Sequence, residues 1–444
     1  MKHDFSYPES LASILPRLLS ADKIIIGLSG GADSVALTHI LFSVLGPEKL
    51  ICAHINHMIR GEEALRDEQF ASDFADSLGI TFRLLRKDVP SFASENHLGS
   101  EEAGRIVRYG FFNELTVSDK SVICTAHNAD DNAETVLLNL ARGTGLKGLG
   151  GIPLVRGNVL RPILSMTREE IESYCSENHL EYITDSTNLT DEYSRNKVRH
   201  KIIPELRKLN PAAVKNISRM SLLAAEDNEY LDKKAEKLLS SSKNRWGLSA
   251  EKLKTANDVI LSRAIRLFVH SESLPEPQAQ HVEEMIKVVR KGGSVDIPGN
   301  RRFYCSQGNV LLLNRSLEKF YDRVCELNNE YTRLGRKLTI SGPVPKNSIK
   351  FNNLVFINFA DYDKIKNSLI LSARQEGDEF ISAGRKIKKK LKKLMNEKKI
   401  PEPLRDNIFV VRDGNVPVFV EGIGVDSRYL VDDSTKTVIT FSVV

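Results

Sequence analysis

The chain predicts an α/β protein: a doubly wound parallel sheet, followed by a helical domain and a small α+β domain at the C-terminal end. Three observations carry that expectation. Strand-like and helix-like segments alternate from residue 23 to about 185, the pattern of a parallel sheet covered on both faces. From Asn210 the apolar residues Ile217, Met220, Ala224, Leu231, Ala235 and Leu238 recur at near-heptad spacing, which is helical. From about Arg333 strand-like stretches return, with one strongly basic segment among them. The expected divisions are 1–211, 212–332 and 333–444. With 444 residues, 41% of them hydrophobic, the chain has material for two to four domains.

The first part reads as four strand–helix pairs. These are Lys23–Leu28 with Val35–Leu45, Leu50–Ile55 with Ala64–Leu78, Thr81–Val89 with Glu101–Leu115, and Val122–Ala126 with Ala133–Ala141. Ligands of such sheets sit beyond the carboxyl ends of the strands. Pro211 marks a linker, after which Asp258–Val269 and Val282–Val289 continue the helical part. Leu354–Phe359, Ile408–Val411 and Val416–Val420 are the strands expected of the last part.

Several classes are excluded. No apolar run approaches the ~20 residues of a membrane span, and Met1-Lys2-His3-Asp4 opens no secretory apolar region, so a soluble cytoplasmic protein is expected. Cys52, Cys124, Cys175, Cys305 and Cys325 are scattered without a C-x-x-C pair, which indicates neither a disulfide framework nor a zinc ribbon. The net charge of +5 is mild, and its distribution matters more than its size.

The sharpest signal is Ser29-Gly30-Gly31-Ala32-Asp33-Ser34, between the first strand and its helix. Two glycines allow a tight turn, while Ser29, Ser34 and the free N–H groups of a helix start offer donors to an anion. A carboxylate beside phosphates is repulsive unless a hard cation intervenes, so Asp33 reads as a Mg²⁺ ligand. The G-x-x-x-x-G-K-[ST] pattern is absent. The segment resembles the S-G-G-x-D-S loop of the ATP pyrophosphatases, which split ATP between its α and β phosphates.

Other polar constellations follow the strands. His54-Ile55-Asn56-His57 ends the second strand, where a nucleotide base or ribose is met; Asn56 and His57 are assigned to ATP, with capping or packing as the equal alternative. Glu101, Arg105 and Arg108 share a helix face, suited to phosphate oxygens and the charge of departing pyrophosphate, although a solvent-facing ion-paired face has the same spacing. In Thr125-Ala126-His127-Asn128-Ala129-Asp130-Asp131-Asn132-Ala133-Glu134-Thr135, a helix starting at His127 would align His127, Asp131 and Glu134. The carboxylates could hold an ammonium or a second Mg²⁺, and His127 could accept a proton from an amine; acidic residues also suit any helix start.

Gly143-Thr144-Gly145-Leu146-Lys147-Gly148 matches G-x-G-x-x-G but follows a helix, so it is no dinucleotide fingerprint; it reads as a loop closing over the crevice. Asp185-Ser186-Thr187-Asn188, with Asp191, Tyr193, Arg195, Asn196, Arg199 and His200, is a dense polar run that could serve as a nucleic-acid or substrate lip, with a solvated loop leading into a helix as the equal alternative. Arg385 to Met395 with Lys398 and Lys399 reads as a basic amphipathic helix. Ile387, Leu391, Leu394 and Met395 form its apolar face and leave Lys388, Lys389 and Lys392 pointing outward, a surface that attracts polyanions; a charge run can also be simply solvated or lie on a membrane, and the absence of bulky aromatics favours RNA over lipid.

Taken in order, these motifs resemble the tRNA(Ile)-lysidine synthetase family, including Asn56-His57-Met58-Ile59-Arg60, Arg142-Gly143-Thr144-Gly145, Arg161-Pro162, Arg195-Asn196 and Arg374 through Asp378. Asn128 and Asn132 depart from the family's common histidine and glutamine. The resemblance implies ATP-driven adenylation of the wobble cytidine of a CAU-anticodon isoleucine tRNA, then displacement of AMP by the ε-amine of free L-lysine. Ser29, Gly30, Gly31, Ala32 and Ser34 would hold the polyphosphate and Asp33 the Mg²⁺. Arg105 and Arg108 would stabilise phosphate charge, and His127, Asp130, Asp131 and Glu134 would serve lysine capture, metal binding and amine deprotonation. Arg195 and the basic lysines would contact substrate RNA. A tRNA sulfurtransferase and a non-catalytic RNA-binding protein are the alternatives, and the oligomeric state, with a homodimer as one option, stays open.

Overall fold

The computed structural model describes residues 7–59, 61–184, 194–316, 321–348, 358–384 and 387–444. The chain packs as two compact units, Met1–Tyr230 and Leu231–Val444.

The first unit runs α1 Glu9–Ser20, β1 Ile24–Gly27, α2 Ala32–Leu45, β2 Leu50–Asn56, α3 Glu62–Ser77, β3 Thr81–Arg86, α4 Val89–Glu95, α5 Ser100–Glu114, β4 Val122–Cys124, α6 Ala129–Ala141, α7 Leu146–Leu149, β5 Val155–Arg156, β6 Val159–Leu160 and α8 Arg168–Glu177. The strands form one sheet in the order β3-β2-β1-β4-β6-β5. All neighbours are parallel except the edge pair β5–β6.

Ile24, Ile25 and Ile26 of the central β1 are fully buried, as continuous apolar runs must be when helices cover both faces. Their side chains alternate. Ile24 and Ile26 join a core with Leu37, Leu41 and Ile171, while Ile25 joins Phe111, Phe112 and Ile123 on the opposite face. The expected doubly wound sheet is therefore present, with α1, α4, α7, β5, β6 and α8 in addition.

Beyond α8 come α9 Ser194–Lys197, a π-helical turn Val198–Ile202, α10 Ile203–Leu209 and α11 Ala213–Ser242. The stripe from Ile217 to Leu238 thus lies on one 30-residue helix. The part expected to be helical also carries a sheet. Lys243–Asn244, Gly247–Ser249, Gly293–Ile297, Arg301–Ser306 and Asn309–Asn314 form five antiparallel-linked strands. Its Phe303, Val310 and Leu312 pack with Leu261, Ile265, Met285 and Val289 of the helices Asp258–Ser271 and Ala279–Lys291.

A separate core around Leu338, Leu371, Val411, Val418 and Phe441 belongs to the C-terminal sheets. Of the three strands expected there, Val416–Val420 stands as written and Val410–Asp413 is shifted by two residues. Only Phe359 of Leu354–Phe359 begins a strand, Phe359–Asp361, and 354–357 lie outside the described residues. The basic segment is helical only over Leu391–Glu397, after a short strand Lys389–Lys390. Leu391, Leu394 and Met395 are its buried face, whereas Ile387 is 73% exposed and takes no part in it; Arg385 and Lys386 lie outside the described residues.

Candidate active site

The segment Ser29–Ser34 leaves the carboxyl end of β1 and enters α2. Gly30 adopts φ +91°, a conformation open to glycine, and its carbonyl accepts the Ile183 N–H at 2.9 Å. The Ser34 hydroxyl donates to the Gly31 carbonyl and accepts the Ser29 N–H at 3.1 Å, which closes the turn on itself. Gly27 precedes it under a second constraint. A Cβ there would sit 2.9 Å from the Phe112 ring.

This turn forms one side of a cavity of about 530 Å³. Ser29, Gly31, Asp33 and Ser34 line that side, His54, Asn56, His57, Ile59 and Asp67 another, and Arg108, Tyr109, His127, Asp131 and Arg195 the rest. The carboxyl ends of β1, β2 and β4 meet here, as an open parallel sheet dictates.

Asp33 lies at the start of α2 with its carboxylate doubly engaged. One oxygen accepts from the Asn128 side-chain amide at 3.0 Å and the other pairs with Arg168 at 2.6 Å. Burial raises its pKa, against the pull of both partners. Asn128 is also the N-cap of α6, where it forms a capping box with Asp131. Helix α6 consequently begins at Ala129, so His127 precedes it and does not share a helical row with Asp131 and Glu134.

The three carboxylates after His127 have different surroundings. Asp131 lines the cavity, with Arg195 and Arg199 each 3.3 Å away. Glu134 has no solvent exposure and is gripped by Arg195 at 2.7 Å and Arg199 at 2.5 Å; it is not among the cavity's lining residues. Asp130 faces away as well, pairing with Arg207 at 2.7 Å and accepting the Arg168 N–H at 2.8 Å. The sequence placed all three as substrate-binding groups, but the structure brings only Asp131 to the cavity wall.

His127 accepts or donates one hydrogen bond, with Thr125 at 2.9 Å. Burial, reinforced by the positive charges of Arg161, Arg195, Arg108 and Arg105, lowers its pKa to about 3. Its imidazole is neutral at physiological pH. Arg108 reaches the cavity wall, whereas Arg105 sits over the Tyr109 ring at 5.6 Å. Asn56 lines the wall, yet its amide is committed to the Met58 N–H, the Ala64 carbonyl and the Glu68 carboxylate, so it shapes a loop and has no spare donor for a nucleotide. Lys147 and its glycine loop are not among the lining residues.

No cluster of three or more His, Cys, Asp or Glu with metal-binding geometry occurs among the described residues. A single carboxylate completed by phosphate oxygens is nonetheless an ordinary Mg²⁺ site, and Asp33, at the start of α2 beside the glycine turn, fits it. Cys124 is fully buried in β4 and burial pushes its thiol up, the opposite of a reactive thiolate. Arg168, Tyr109 and Asp67 were not picked out from the sequence. The Thr167-Arg168-Glu169-Glu170 capping box marks the start of α8, but no local signal shows that Arg168 reaches Asp33. Asp185 to Asn188, Asp191 and Tyr193, with Arg60, lie outside the described residues. No described helix is long and apolar enough to cross a membrane.

A glycine turn feeding a helix start, at the switch between β1 and β4 and next to a cavity lined by Arg108 and Arg195, defines an ATP-binding α/β protein of the PP-loop class. Residues 6–206 match the PP-loop domain family and residues 369–441 the TilS substrate C-terminal domain. A tRNA(Ile)-lysidine synthase from Caldanaerobacter subterraneus subsp. tengcongensis is 34% identical, over 94% of this chain and 93% of that one. Those of Clostridium tetani and Parabacteroides distasonis are 33% and 35% identical, each over 95% of this chain and over 94% and 96% of their own. The chain belongs to the tRNA(Ile)-lysidine synthase family.

Proposed function

We propose that this chain uses ATP to convert the wobble cytidine of a CAU-anticodon tRNA(Ile) into lysidine. The reading is supported above all by one cavity that joins an anion-binding turn to a neutral imidazole and a carboxylate–guanidinium pair, in a chain that matches lysidine synthases along nearly its whole length.

In the first step the C2 oxygen of the cytidine attacks the α-phosphorus of ATP, and the bond to pyrophosphate breaks. The Ser29–Ser34 turn holds the polyphosphate by N–H and hydroxyl donors at the start of α2, and Arg108 offsets the charge gathering on the leaving group. A Mg²⁺ held by Asp33, once Arg168 gives way, would shield the phosphates. In the second step the ε-amine of lysine attacks C2 and the C2–O bond to AMP breaks.

Asp131 and Arg195, which pair with each other at 3.3 Å, present one negative and one positive group to the cavity. A free amino acid carries the complementary pair, so its α-ammonium engages Asp131 and its α-carboxylate Arg195, leaving the ε-amine free to react. His127, kept neutral by burial and by the positive charges of Arg161, Arg195, Arg108 and Arg105, takes the proton that the attacking nitrogen loses, once the phosphates offset those charges. Glu134 and Arg199 are positioning residues that fix Arg195.

Residues 1–211 are assigned to catalysis, with 212–332 and 333–444 contacting the tRNA body from a cytoplasmic enzyme. In the last part Lys392 and Lys393 are exposed and form no ion pair among the described residues, whereas Lys388 and Lys389 pair with Glu379 and Glu397. Incubation with unmodified CAU tRNA(Ile), ATP, Mg²⁺ and labelled lysine is the test. Label entering RNA with release of AMP supports the reading, and incorporation unaffected by Asp33→Ala overturns the assigned site.

A further inference from the structure

We propose that Met58 and Ile59 form an apolar wedge that fills the anticodon stack when the reacting cytidine is drawn into the cavity. This rests on the function proposed above and concerns how the same site gains access to its base.

The two side chains are 58% and 59% exposed, next to each other at the tip between β2 and α3. Ile59 also lines the cavity, so the pair stands at its mouth. Met58 adopts φ +57°, a left-handed conformation that a non-glycine residue enters at a penalty. Three residues hold it there. The Asn56 side-chain Oδ1 accepts the Met58 N–H at 2.9 Å, its Nδ2 donates to Glu68 at 3.0 Å, and Arg86 grips Glu68 at 2.5 and 3.0 Å. Asn56 is buried. Strand β2, helix α3 and strand β3 therefore combine to support a strained turn whose visible product is two apolar side chains in water.

The chemistry supplies their occupant. The cytidine oxygen must meet the α-phosphorus inside the cavity, which a base stacked in an anticodon loop cannot do. Enzymes that act on a base take it out of the stack, and its neighbours are then left with an open face. Unbranched and branched aliphatic residues, Met and Ile among them, are the side chains that proteins insert between base steps. The occupant is thus the adenosine that follows the target cytidine in the anticodon.

The test compares the full-length parent, a Met58→Ser/Ile59→Ser variant and a Met58→Leu/Ile59→Leu variant. The Ser variant is expected to raise the KM for tRNA about tenfold without moving the KM for ATP or the melting temperature, and the Leu variant to restore it. In tRNA carrying 2-aminopurine for that adenosine, parent binding should raise fluorescence as the cytidine leaves, and the Ser variant should lose most of the rise. An unchanged tRNA KM and fluorescence response would overturn the wedge, as would a rise in the ATP KM alone, which would mean that the pair covers the nucleotide. Failure of the parent to incorporate lysine would strike the function itself; incorporation with the variants indistinguishable strikes only the wedge.

Discussion

Glu134→Gln keeps the shape of a side chain that has no solvent exposure and removes its charge. The carboxylate takes hydrogen bonds from Arg195 Nε at 2.7 Å and from Arg199 Nε and Nη2 at 2.5 and 3.1 Å. The amide can accept on one side only, and its NH₂ group must face a guanidinium. Breaking a fully buried pair from one side costs about 3–5 kcal/mol. Arg195 and Arg199 keep 38% and 37% of their side-chain surface in water, and water recovers part of what they lose, so about 2 kcal/mol is expected. In a unit spanning Met1–Tyr230 that lowers the melting temperature by about 4–8 °C. Calorimetry on the full chain reads this directly. The KM for lysine should rise alongside, because Arg195 reaches the cavity and loses its anchor, while the KM for ATP stays put. A midpoint within ~1 °C of the parent, with the lysine KM raised, would refute the reasoning: Glu134 would then be a ligand in its own right and not a mount.

The remaining predictions concern titration, packing and RNA. His127 has a pKa of about 3 in the fold against 6.5 when exposed, so between those values the unfolded chain binds the extra proton; its contribution is intact above pH 6.5 and is lost as pH falls toward 3. Urea midpoints at pH 7 and pH 5 should therefore diverge more in the parent than in His127→Gln. In Gly27→Ala the new Cβ would lie 2.9 Å from the ring of Phe112, which is 1% exposed and cannot swing aside; a loss of about 1–3 kcal/mol in urea unfolding is expected. Lys392→Glu with Lys393→Glu should weaken tRNA binding and lower the salt slope by about two, with the ATP KM unchanged.

The catalytic sheet was legible because its determinants are local. Apolar runs such as Ile24–Ile26 and the glycine turn after them state in a few residues that a buried strand meets a helix at a ligand-binding end. The sheet between Lys243 and Asn314 was not legible, because Arg301–Ser306 and Asn309–Asn314 are only six residues each, the second a short apolar run with no alternation to mark it as a strand, and the long helical stripe before them dominates the pattern. Ile387 misled for a related reason. It keeps helical spacing with Leu391 and Leu394, but spacing cannot reveal that the chain at Lys389–Lys390 pairs with Glu379–Phe380 as a strand.

Within the site the residue types were readable and their partners were not. Asp130, Asp131 and Glu134 look interchangeable along the chain; what separates them is that Arg207, Arg195 and Arg199 arrive from more than 60 positions away in sequence. A guanidinium that neutralises a carboxylate is invisible to local pattern, yet it decides which acid faces ligand and which braces the wall. Asn128 and Asn132 make the same point. Asn128 both caps α6 and donates to Asp33. Asn132 donates to Ser221 at 2.7 Å and accepts the Ile152 N–H at 2.8 Å. An amide offers a donor and an acceptor at one position, so each asparagine joins two segments that a neutral histidine or a longer glutamine would have to reach differently, and the site around His127 is built on those short links.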